Sequence, residues 1–196
     1  EKLKDKRFAE ELSDLTEYGI CRYHDLYADH DENNLVLYQK YSRKDVCRIL
    51  NWAKDDSATV YGYRIKYNTC PIFVTYEKSD DISDSTKYLD EFEKIGTDPI
   101  VYSNKIFSWM TRSKVKQESP EAQELIHAKE NGLKILLFLK KSDGEGTDFY
   151  YMGEAEPVKW EETTILNDKK QILPIMNFKL ELKKEVRKDI FDYFTA

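Results

Sequence analysis

Five consecutive apolar residues, Ile135-Leu136-Leu137-Phe138-Leu139, constrain this chain more than any other stretch. Successive side chains of a strand point to opposite faces, so a run this apolar is at ease only where both faces are covered. It reads as the central strand of a sheet, and its boundaries agree. Upstream, Ser119-Pro120-Glu121 opens a helix with a cap and a proline at its first position, and Asn131-Gly132 closes it. Downstream, Asp143-Gly144-Glu145-Gly146 is a flexible hairpin turn. Phe149 to Glu154 then pairs back on the central strand, and Pro157 to Glu161 extends it past an irregularity at Gly153.

The other elements arrange themselves around that strand. Residues 2 to 28 read as a helix on Leu12, Leu15 and Ile20, and the polar run Asp29 to Asn34 marks a boundary. The expected organisation is a helical lead segment over 1–34 and an α+β domain over 35–196. Ser42 and Asp45 form a capping-box start for a helix from Arg43 to about Ala53, whose Val46, Ile49, Leu50 and Ala53 are its buried stripe. Two strands follow, Val60 to Tyr67 and Ile72 to Glu77, separated by Asn68-Thr69-Cys70-Pro71. Residues 79 to 100 look like an Asp- and Ser-rich excursion with a short amphipathic segment around Tyr88, Phe92 and Ile95. Ile172 to Leu182 is the last strand. A helix from Lys183 to Phe194 closes the chain, and its Val186, Ile190, Tyr193 and Phe194 can plug one end of the sheet. Strands interrupted by helices predict an α+β fold, a curved antiparallel sheet or small open β-barrel with flanking helices that serves as a binding platform.

The strand from Lys105 to Arg112 carries the strongest candidate for function. Lys105, Phe107, Trp109 and Thr111 share one face, opposite Ile106, Ser108, Met110 and Arg112, with Ser113 next. A core-facing strand usually ends in another apolar residue rather than in Thr-Arg-Ser after a tryptophan. The combination of ring, hydroxyl and guanidinium suits a planar, anionic ligand. The competing reading is that Phe107 and Trp109 are core and Arg112 caps the strand.

Charge and motif bound the rest. The formal charge is −6, so the whole-molecule field repels polyanions, and any nucleic-acid site needs locally clustered cations. Arg43 with Lys44, Lys78, Arg112 with Lys114 and Lys116, and Lys140-Lys141 are the candidates. No run of about 18 apolar residues spans a membrane. Cys21, Cys47 and Cys70 are odd in number and widely spaced, which argues against a disulfide framework or zinc site and for a cytoplasmic origin. The charged start at Glu1 reads as a piece cut from a longer polypeptide. No phosphate loop or nucleophile elbow occurs, and no cofactor or metal is expected. Asp148, Glu154 and Glu156 alternate and, with Lys140 or Lys78, imitate a metal-dependent nuclease set, but the Glu-x-Lys spacing is missing apart from Glu181-Leu182-Lys183 at a strand end.

Several short segments, taken in order, resemble a known family. They are Tyr41-Ser-Arg-Lys-Asp-Val46 with Leu50-Asn-Trp52, Gly62-Tyr63, Cys70-Pro-Ile-Phe-Val-Thr-Tyr76 with Lys78, Phe107-Ser-Trp109 with Thr111-Arg-Ser113, and Leu137-Phe138 leading through Asp143-Gly144 to Asp148-Phe-Tyr-Tyr-Met-Gly153. Over roughly residues 35 to 160 the chain resembles a prokaryotic domain of unknown function at the C-terminal end of superfamily II helicases, often behind a phospholipase-D-type nuclease module. The resemblance implies a part in restriction or anti-phage defence, with helicase and nuclease domains of the same polypeptide as partners, and it supplies no catalytic residues. By analogy of architecture, domains in that position are similar to PUA and SRA barrels, which hold a modified or flipped base. Such a pocket would draw its rings from Tyr63, Tyr76, Trp109 and Tyr150. Asp148, Thr111 and Ser113 would read base edges, and Arg43, Lys78 and Arg112 would hold phosphates. The expected function is therefore a non-catalytic DNA-recognition module. The alternative is a protein-interaction or regulatory domain that docks on the helicase or a partner.

Overall fold

The computed structural model describes residues 5–27, 29–52, 62–77, 90–97, 100–167 and 169–196. Its contacts divide into two compact units, residues 1–37 and 38–196. In the first, helix α1 spans Lys6–Tyr27. The Asp5 carboxylate starts it by accepting the amide N–H groups of Arg7 and Phe8, and Lys6–Glu10 and Arg7–Glu11 pairs lie one turn apart. After α1 a tight turn is held by Asp31, whose carboxylate accepts the amides of Asn33 and Leu35.

The second unit contains β1 Lys40–Tyr41, α2 Arg43–Ile49, β2 Thr69–Thr75, β3 Glu91–Thr97, β4 Ile100–Met110, α3 Pro120–Ile126, α4 Ala128–Asn131, β5 Lys134–Lys140, β6 Phe149–Leu166, β7 Ile172–Leu182 and α5 Lys188–Thr195. The strands form one seven-stranded sheet in the order β2-β5-β6-β7-β4-β3, with β1 on β6. Strands β2 and β3 end the series and do not pair with each other among the described residues, so the sheet is open. The mixed α+β class with flanking helices is as the sequence indicates. One pairing differs: β2 runs parallel to β5, while the other named pairings are antiparallel. A parallel pair needs a long crossover, and the chain between β2 and β5 includes β3, β4 and the α3–α4 helices.

The central run behaves as its composition demands. Ile135, Leu137 and Leu139 point into the larger core, Leu136 and Phe138 point the other way, and all five are fully buried. Ala122 and Leu125 of α3, Ala128 of α4 and Phe194 of α5 join the larger core. On the opposite face Phe138 stacks with Phe73 at 4.9 Å and meets Tyr151 at 5.0 Å, where Val46 and Cys47 of α2 are also buried. The Ser42–Asp45 capping box starts α2 as expected, but α2 stops at Ile49, with Asn51 at φ 54°.

Long-range ring contacts reveal the curvature. Tyr63, bridged to Ile72 of β2, reaches Trp109 of β4 at 4.7 Å, although β5, β6 and β7 lie between β2 and β4 in the sheet. Tyr76 beyond β2 likewise touches Phe92 of β3 at 6.0 Å. The sheet therefore curls over its larger core, and aromatic side chains fill the space it encloses. The bulge foreseen at Gly153 is present: the register shifts between Leu137 and Phe138, and Gly153 takes φ 117°.

Four local assignments change. Asn68-Thr69-Cys70-Pro71 is not a separator, because β2 already begins at Thr69 and the turn falls on Tyr67-Asn68. The described part of the expected 60–67 strand makes only isolated bridges, Tyr63 to Ile72 and Lys66 to Thr69. Phe92 and Ile95 lie in strand β3, while Tyr88 lies outside the described residues. The closing helix starts at Lys188 rather than Lys183.

Candidate nucleic-acid interface

Two of the residues singled out in the sequence, Tyr63 and Arg112, meet on Glu121 of α3, and Trp109 backs Tyr63. The Tyr63 hydroxyl donates to the Glu121 carboxylate, and the Tyr63 ring packs edge-on against Trp109. The Arg112 guanidinium lies 5.0 Å from the Tyr63 ring centre and grips Glu121 in a fork, Nε to Oε1 at 3.2 Å and Nη2 to both oxygens at 3.0 Å. A fork on a carboxylate is the same geometry a guanidinium uses on a phosphate. Burial draws the Arg112 group down, but the Glu121 bonds and charge outweigh it and hold it above its ordinary value. Burial, then the Glu121 bond, push the Tyr63 phenol well up; burial does the same to the Cys70 thiol. These groups stay in their ordinary protonation states across the physiological range.

Neither ring here offers a free face, since Tyr63 and Trp109 are each 2% exposed. Trp109 continues inward to Phe178 at 5.9 Å. Thr111 is also enclosed: its hydroxyl accepts the Met176 amide at 3.0 Å and donates to the Arg112 carbonyl at 3.2 Å. It thereby finishes the pairing with β7 instead of presenting an edge-reading group. Ser113 is exposed beside it.

Tyr76 and Tyr150 come together elsewhere, under α5. Both rings pack on Phe194, at 5.8 and 5.9 Å, and both are partly buried. Burial pushes the Tyr76 phenol up. Tyr150 also meets Tyr193 at 5.9 Å, and the Lys40 ammonium sits 4.5 Å from its ring centre. The pairing of β1 with β6, Lys40 against Tyr150, makes this contact across 110 residues of chain.

Arg43 stands on the other face of the sheet. Its guanidinium lies 4.8 Å from the Phe149 ring centre and 5.4 Å from that of Phe73. The Lys140 ammonium reaches the same Phe149 ring at 5.1 Å while donating to Asp143 and to the Gly146 carbonyl. Asp148, next in sequence to Phe149, is half-buried and accepts the Thr147 hydroxyl at 3.0 Å. Lys78 lies outside the described residues. The nuclease-like acids are spoken for by other lysines, Glu154 by Lys183 at 2.8 Å and Glu156 by Lys129 at 3.2 Å.

The nine described residues of the ten thus separate into an Arg112 corner, a Tyr76–Tyr150 cluster and an Arg43 face. Sequence reasoning missed Glu121, which organises the first. As one acid among 37, its only distinguishing signal was its place after Ser119-Pro120 at the start of α3. It also passed over Phe149 as a shared platform, because nothing local announces that Arg43 and Lys140 will meet there.

No curated protein matches the sequence. Among solved structures the chain is similar to the sulfur binding domain and SRA domain of ScoMcrA complexed with phosphorothioated DNA, at 12% identity and TM-score 0.46, covering 88% of this chain and 49% of that one. It is also similar to the DNA modification-dependent restriction endonuclease AspBHI, at 12% identity and TM-score 0.44, covering 65% and 64%. A third likeness is to KRYPTONITE in complex with mCHG DNA and SAH, at 8% identity and TM-score 0.42, covering 79% and 33%. The chain spans less than two thirds of the length of each, and likenesses this distant carry no weight for its chemistry. A family model does match, over residues 35–194, and with four fifths of its length inside that match the chain belongs to the family described as domain of unknown function DUF3427.

Proposed function

We propose that this chain is a non-catalytic DNA-recognition module, working within a helicase–nuclease restriction or defence protein and reading a modified or flipped base. The observation that carries the reading is the convergence of Arg43 and Lys140 on the Phe149 ring, with Phe73 alongside. The rings hold the Arg43 guanidinium in a fixed position, which lowers the ordering cost of meeting a phosphate. Arg112, forked and half-exposed, adds a second guanidinium of fixed orientation. In a chain of net charge −6, such contacts serve discrimination, while non-specific affinity would come from the linked helicase. Fluorescence anisotropy with unmodified, methylated, hydroxymethylated, glucosylated and phosphorothioate duplexes at two salt concentrations tests this. Selective binding is expected for one modification, and Arg43→Ala should lower the slope of log affinity against log salt by about 0.9. Absence of binding to every duplex at low salt would overturn it.

The second reading is a protein-docking domain. The β6–β7 hairpin favours it, since Val158, Trp160, Leu166 and Ile172 are exposed there. Binding to the helicase or nuclease part, with none to DNA, would select it.

A further inference from the structure

The Lys66–Thr69 turn stores backbone strain at an exposed position of the second unit. Its ends exchange hydrogen bonds, Lys66 amide to Thr69 carbonyl at 2.9 Å and the reverse at 3.0 Å. Between them Tyr67 and Asn68 take φ 50° and 55°, the signature of a mirror-type two-residue hairpin. Glycine or asparagine enters that region readily, whereas a bulky tyrosine is strained there. Tyr38 is also at positive φ, 65°, but its hydroxyl is held by the Glu185 carbonyl and the Arg187 amide. The Tyr67 ring has no such enclosure: it is 60% exposed, with the Lys66 ammonium 5.0 Å from its centre.

The turn is nevertheless firmly seated. The Lys134 amide donates to the Asn68 carbonyl at 2.9 Å. The Trp52 indole donates to the Thr69 hydroxyl at 3.2 Å, and that hydroxyl donates to the Lys66 carbonyl at 2.7 Å. Lys66 also lies 5.6 Å from the Trp52 ring. From Gly62 through Tyr76 no Asp or Glu occurs, in a chain with 37 acids, while Arg64 and Lys66 do. A rigid, strained turn that presents a bare ring beside cations is arranged to receive something flat and negatively charged.

We infer that the Tyr67 tip is a stacking site for an unpaired DNA base, with Lys66 beside the ring. This rests on the DNA-recognition reading and adds a contact that the Arg43 and Arg112 sites do not contain. The test is anisotropy with a fully paired duplex, a duplex carrying one bulged base and a single-stranded oligonucleotide, on wild type, Tyr67→Asn, Tyr67→Trp and Arg43→Ala. Asparagine fits the turn, so Tyr67→Asn should melt at or above the wild-type temperature while losing about tenfold in affinity for the bulged duplex and single strand. Its affinity for the paired duplex should change less than about twofold, and Tyr67→Trp should bind as wild type. Unchanged affinity in Tyr67→Asn alongside weakened binding in Arg43→Ala would overturn the stacking site and leave the DNA reading standing. Loss of binding in Tyr67→Trp as well would overturn it too, because tryptophan keeps a stacking face. Wild type that binds none of the three would overturn the stacking site, and failure to bind the modified duplexes as well would overturn the DNA reading.

Discussion

The Arg112 corner and the Arg43 face use the same pairing in different surroundings. Each sets a guanidinium over an aromatic ring at nearly equal distance, 5.0 Å on Tyr63 and 4.8 Å on Phe149. At Arg112 the neighbour is a carboxylate: Glu121 takes the fork and the Tyr63 hydroxyl, and behind them Trp109 is sealed in the larger core. At Arg43 the ring is shared with a second cation, Lys140, whose ammonium is bonded to the Asp143 carboxylate. A cation on a ring is therefore not by itself a binding signature. The corner is a guanidinium closed on a helix carboxylate over a buried ring, whereas on the Arg43 face two cations share one buried ring.

The sharpest way to break this contrast is truncation of the rings and cations in turn. Trp109→Ala should cost about 3–5 kcal/mol of stability, whereas Arg43→Ala should cost less than about 1 kcal/mol, both measured by urea denaturation. Similar costs for the two would mean that Arg43 is as structural as Trp109. Next in size is Glu121→Ala, which strands the buried Tyr63 hydroxyl and should cost about 1–3 kcal/mol. Adding Tyr63→Phe to it should recover part of that loss, because the buried Tyr63 hydroxyl is then no longer stranded; a double-mutant cycle measures the coupling.

The smallest effect concerns pH. Burial raises the Tyr63 phenol and the Cys70 thiol above their unfolded values of 10.0 and 9.0. A raised acid favours the fold in its neutral form, so its contribution is complete below the unfolded value and declines as pH rises beyond it. Stability should hold to about pH 9 and then fall by about 1.4 kcal/mol per pH unit through Cys70, with Tyr63 adding the same slope above about pH 10. Tyr63→Phe should make the alkaline arm shallower, and an unchanged arm would show that the corner is less enclosed than its 2% exposure indicates.

Much of the fold was legible because its cues are local. The apolar run 135–139, the Ser42–Asp45 box, the Asn131-Gly132 stop and the Gly153 irregularity each state a requirement of backbone or burial that neighbours in sequence satisfy. The turn at Tyr67-Asn68 was misplaced by one or two residues because propensity points to Asn-Thr-Cys-Pro, while positive φ at a tyrosine is imposed by the pairing of Lys66 with Thr69. The strand through Phe92 read as an excursion because its partner β4 follows across residues that carry no strand pattern.

The site was less legible, and for a physical reason. Alternation identified Phe107, Trp109 and Thr111 as one face, but not whether that face meets core or ligand; the curl of the sheet, which carries Tyr63 across to Trp109, turned it inward. What the sequence determined by itself was the element types, the central strand and a set of aromatic and basic residues, since periodicity and capping act over a few residues. Only the tertiary structure decided that Arg112 would meet Glu121, that Arg43 and Lys140 would share Phe149, and that Tyr67 would stand bare. Those outcomes depend on pairings between strands and helices distant in the chain, and on which groups lose water when the sheet closes over its core.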